Sequence, residues 1–255
     1  MEKITRAKQL IDELQIKVTA YFAADPYKIG TKKDPVNGRL IYYIQEIKDL
    51  PVEIKTITGD VIQNLRSALD QLAYSLFIKA GGAPADARHV YFPIVESEIK
   101  FKEANTQKKI AGLSQIAVNA IIAVRPYKEG NIRLWQLHEL NNLDKHRLLI
   151  TAGSSFGSMD IASHALRLLS AGIPGMENIS MPPVFIKPAD NLFPLKQGDE
   201  LFIDGPEATP NPKISFNIQL VLNETGIAEG QPLMPFLRGM ADEVETTFNV
   251  FKPLL

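Results

Sequence analysis

Lys213-Ile-Ser-Phe-Asn-Ile-Gln-Leu-Val-Leu222 alternates apolar and polar residues as a half-exposed β-strand should. This stretch decides the fold class, because most of the chain before residue 150 reads as helix. From about residue 151 Gly, Ser and Pro become frequent, and two further β-like runs stand at 184–187 and 200–203. Downstream, 231–249 reads as a closing helix, with Pro232 near its first turn and apolar residues at Leu233, Phe236, Leu237, Met240, Val244 and Phe248. The predicted fold is α+β: a mainly helical part over about 1–150, then an antiparallel sheet with a closing helix over about 151–255.

Within the first part, residues 3–22 place Ile4, Ala7, Leu10, Ile11, Leu14 and Val18 at helical spacing. Residues 25–38, with their prolines, glycines and lysines, read as a loop. Residues 39–47 (RLIYYIQEI) are β-branched and aromatic and read as a strand. That strand is expected to join the later sheet, which makes residues 1–255 one domain. A long helix follows over about 57–80 and stops at Gly81-Gly82. Then come a short extended piece at 91–94, a charged helix at 97–112, an apolar helix at 114–125 ending before Pro126, and a helix over about 132–149.

Bulk properties narrow the chemistry. The 255 residues carry a net charge of −1, which exerts no global pull on nucleic acid. There is no cysteine, so disulfides, thiol catalysis and Cys-based metal sites are excluded. No stretch reaches the roughly 18–20 apolar residues of a membrane span. The first residues, Met-Glu-Lys-Ile-Thr-Arg-Ala-Lys, lack a signal-peptide h-region. The expectation is a cytoplasmic protein.

Two segments put charge where helical phase asks for apolar residues: Asn64-Leu-Arg-Ser-Ala-Leu-Asp70 and Asn141-Asn-Leu-Asp-Lys-His-Arg147. At about 100° per residue, Val61, Leu65, Ala68, Leu69, Leu72 and Leu76 form the apolar face of the first helix. Ile62, Ala73 and Phe77 widen it. Arg66 falls inside the widened side and Asp70 at its edge, four residues away and within reach. On the second helix Leu134, Leu137, Leu140, Leu143 and Leu148 define the arc, with Asp144 near its middle. Asn141 and Arg147 point inward with it, while Trp135, Glu139, Asn142 and His146 share another face. An inward carboxylate needs a cation or several donors. Arg66 with Asp144, and Arg147 with Asp70, are the predicted crossed pairs of one network.

The same residues admit a catalytic reading. Helical RNases of the HEPN type carry an Arg-x(4–6)-His signature. Asn141-x(4)-His146 keeps that spacing with Asn in place of Arg, so His146 is the candidate general acid or base, with Asn141 or Asn142 beside it. His138-Glu139 lacks the second histidine of a metalloprotease helix, since position 142 is Asn. Gly153-Ser-Ser-Phe-Gly157 has the letters of a nucleophile elbow but follows a helix instead of a strand. No P-loop, dinucleotide fingerprint or metal-ligand spacing is present, so neither cofactor nor metal is expected.

Taken together, Gly59-Asp60, Asn64-Leu-Arg-Ser-Ala-Leu-Asp70, Phe92-Pro-Ile94 and Leu143-Asp-Lys-His-Arg147 resemble a group of uncharacterised bacterial and phage proteins that pair these motifs. The resemblance covers about 60–150 and brings no activity with it. The HEPN likeness is an analogy of helical architecture, and fold analogy does not carry function. Three functions follow: a binding or accessory protein with the motif network as scaffold, a metal-independent RNase using His146, and a small-ligand binder. RNA and a small ligand are the candidate partners, a membrane is not one, and a homo-oligomer is compatible with all three.

Overall fold

The computed structural model describes residues 1–147, 152–160, 185–186 and 194–255, as backbone only at 145–147, 152–153, 157 and 185–186. The fold is α+β. The chain divides into two compact units, each discontinuous in sequence: residues 1–19, 51–151 and 224–255, and residues 20–50 and 152–223.

The first unit is helical. It holds α1 (Glu2–Ala23, up to residue 19), α2 (Val52–Lys79), α3 (Glu98–Lys102), α4 (Ala104–Gln107), α5 (Gln115–Val124), α6 (Ile132–Arg147) and α7 (Leu233–Phe251). α7 packs back on α1. Its Leu237, Met240, Ala241 and Val244 are sealed, as are Ile4, Ala7, Leu10 and Leu14 on α1. Lys8 pairs with Glu245 at 2.7 Å, and Asp12 faces Arg238 at 3.6 Å. α2 starts five residues earlier than its periodicity suggested. Pro51 stands as its N-cap, and buried Ile54 extends the apolar stripe upstream. Its end is as expected, at Gly81 with φ +92°.

One expected helix is broken. Residues 97–112 form α3 and α4, separated by Glu103 in an extended conformation, and a 3-10 turn at Lys108–Ile110 that follows α4 directly. Thr106 Oγ1 donates to Lys100 O (2.8 Å) and Gln107 Nε2 to Phe101 O (2.6 Å), so side chains fold the segment back on itself.

The second unit carries the strands: β1 (Tyr27–Lys33), β2 (Leu40–Ile47), β3 (Ala152–Asp160), β4 (Phe185–Ile186), β5 (Glu200–Asp204) and β6 (Ser215–Leu222). Among the described residues they form two antiparallel three-stranded sheets, ordered β1-β2-β5 and β4-β3-β6. β2 joins the late strand β5, with Leu40 opposite Asp204, but the single late sheet expected from the sequence is two sheets among the described residues. Ile44, Phe156, Met159, Leu195 and Leu201 form a buried cluster of this unit.

Two strands depart from the sequence reading. Residues 27–33, expected as loop, are the edge strand β1. It is almost wholly exposed, and its lysines reach Glu46 and Glu200 across the sheet. Lysines blunt a free edge, which is why the stretch lacks the apolar composition of a strand. Residues 152–160 form β3, paired with β6 along its length. Gly153–Gly157 therefore lies inside a strand, with no strand-to-helix turn to expose a serine. No helix among the described residues is long and apolar enough to cross a membrane.

Candidate functional site

The polar groups singled out in the sequence lie in segments of the helical unit, where those with described side chains fall into three clusters. The first is a clamp on a backbone segment. Arg66 and Asp70 stand one turn apart on α2 and pair at 2.9 Å. Arg66 Nη2 donates to the carbonyl of Phe92 (2.9 Å), and the Phe92 amide donates to Asp70 Oδ1 (3.1 Å). Both backbone polar groups of Phe92 are thus held by the two charged residues of the first motif. The Phe92 ring is fully buried and meets Phe251 of α7 edge-on at 6.0 Å.

Arg66 is 6% exposed, so its inward phase was read correctly. Its Nη1 is buried with no hydrogen-bond partner among the described residues. Burial draws its pKa down and Asp70 opposes this. Half-buried Lys109 adds a second cation nearby. Burial, and behind it the Arg66 charge, lower the Lys109 pKa, against the pull of Asp70.

The second cluster is where the two motifs meet, and the crossed pairing is corrected there. Arg66 turns to Asp70 and Phe92 on its own side of the unit. Asp144 instead packs on Gly59, about two turns earlier on α2. No ion pair joins Arg66 to Asp144 among the described residues. Arg66 finds its carboxylate within its own helix, at the spacing that favours such pairs. Asp144 is half-buried. Burial first, then the charge of Asp60, raise its pKa.

The third cluster is the other face of α6. Asn142 Nδ2 lies 3.2 Å from His138 Nε2, so the histidine it meets is about two turns upstream of His146. Burial, then Glu96, raise the pKa of Glu139, while Lys128 opposes. The Lys128 ammonium sits 4.4 Å from the centroid of the Trp135 ring. Asn141 is 3% exposed, as its inward phase requires. His146 and Arg147 close α6 as backbone only, so their expected roles, including the Arg147–Asp70 pair, lie outside the described residues.

Among the described residues no group of three or more His, Asp or Glu stands close enough to hold a metal ion. Lys109 and Glu96 were missed by the sequence reading, because they sit on separate segments in no periodic relation to either motif. Gly59 and Phe92 were in view as motif members, but their partners were not. No protein-family model matches the chain, and no curated protein and no solved structure matches it either.

Proposed function

We propose that this chain is a binding or accessory protein in which Arg66 and Asp70 of the paired motifs serve the fold instead of a reaction. The observation that carries this reading is the double grip on Phe92. A guanidinium that is buried, paired with Asp70 and hydrogen-bonded to a main-chain carbonyl has no freedom to follow a substrate. The grip also seats an aromatic ring in the core against α7. On this reading, the motif pairing shared with the bacterial and phage proteins is a packing signature.

The test sets wild type and His146→Ala against a mixed RNA pool in EDTA. No cleavage by folded wild type is the expected result. Cleavage that disappears in His146→Ala, with an unchanged melting curve for that variant, would replace this reading with the RNase one.

A further inference from the structure

The helical unit contains a cleft of about 350 Å³ between the start of α6 and the first turns of α7. This is a size at which small-molecule sites begin. Its wall is apolar through Ile132, Pro235, Phe236 and Met240, with Gln136 and Arg133 as polar members. Gln136 Nε2 donates to Ile227 O at 2.6 Å, which fixes that side of the wall.

Arg133 has an unusual seat. A methyl group placed on Gly239 of α7 would stand 1.9 Å from Arg133 Nη1 and 3.0 Å from Cζ. The guanidinium thus lies directly on the glycine. Glycine in a helix interior costs about 1 kcal/mol relative to alanine, yet here it sits within a 19-residue helix and leaves room for a cation at the cleft. Among the described residues no carboxylate stands within ion-pair distance of Arg133. Glu243, one turn further along α7, accepts instead from Asn131 Nδ2 at 2.7 Å.

We infer that the cleft binds a small organic carboxylate with an apolar body. The carboxylate lies on the Arg133 fork, which matches it with two parallel hydrogen bonds. The apolar body covers Ile132, Pro235 and Phe236. Among the described residues Arg133 is the one cation in the lining, which suits a monoanion better than a phosphate dianion. The inference rests on the reading of the chain as a binding protein, while the cleft itself uses none of the clamp residues.

The experiment is ligand-observed saturation-transfer NMR on the full chain, with 3-phenylpropionate and its neutral amide as probes. The acid is expected to bind with Kd below about 10 mM, and the amide roughly tenfold more weakly. Arg133→Met should weaken the acid about tenfold and leave the amide unchanged. Gly239→Ala should also weaken the acid, because only the mobile end of Arg133 has to move, while its melting temperature holds or rises. Absence of acid binding, equal binding of acid and amide, or wild-type affinity in Arg133→Met would each overturn the inference. RNA cleavage in the assay above would sink the binding-protein reading instead, so the two failures are distinguishable.

Discussion

The Asp144 carboxylate packs against the bare Cα of Gly59, where a methyl group would stand 2.7 Å from Oδ1 and 3.1 Å from Cγ. This contact joins the two motif helices. It accounts for a small residue on α2 nearly two turns before Arg66.

Gly59→Ala should therefore destabilise the protein. Alanine would gain about 1 kcal/mol of helix propensity, but overpacking against a short side chain costs typically 1–3 kcal/mol. Asp144→Ala should remove the clash, so that Gly59→Ala on that background becomes neutral or stabilising. Urea melts of the four proteins in the cycle measure the coupling. Additive effects would mean that the two residues do not touch in solution.

Asp144 also carries a pH signature. Its pKa is raised in the folded chain, so above the ordinary value of 3.8 the folded state holds more protons than the unfolded one. Stability from this group falls as pH rises through that window. Asp144→Asn cannot ionise and lacks the fall. The variant should gain on wild type as pH climbs from 3.8 toward neutrality, read as the difference in melting temperature across a pH series. A variant that loses ground over that range would contradict the raised pKa.

Asp70→Ala should cost on the order of 3 kcal/mol, because it strands the buried Arg66 guanidinium and frees the Phe92 amide. Arg66→Met with Asp70→Leu removes both charges and should recover part of that loss. Chemical denaturation of the single and double variants gives the comparison. A loss below about 1 kcal/mol for Asp70→Ala would place the pair in the class of exposed ion pairs.

Phe92→Ala empties the ring position between the clamp and Phe251, and should cost about 3–5 kcal/mol. Its hydrogen-exchange signature should be local as well as global, with protection lost first near Phe92 and at the end of α7. Uniform loss across α2 would mean that the clamp does not organise this end of the unit.

The amphipathic helices were fixed by local pattern. Apolar spacing placed α1, α2, α5, α6 and α7, and the phase of Arg66 and Asn141 gave their burial. Strand β6 was set by its alternation and β2 by its β-branched and aromatic content. Partners were another matter. Helical phase says which way Asp144 points but not what stands opposite, and α6 meets α2 at Gly59, two turns from Arg66. Strands β1 and β3 carry weak strand signals of their own, because most of their stabilisation comes from hydrogen bonds to β2 and β6, which are distant in sequence or reached through a turn. The sequence by itself determined which residues turn inward. The tertiary structure alone decided what they meet there, because phase is a property of one helix and a contact belongs to two.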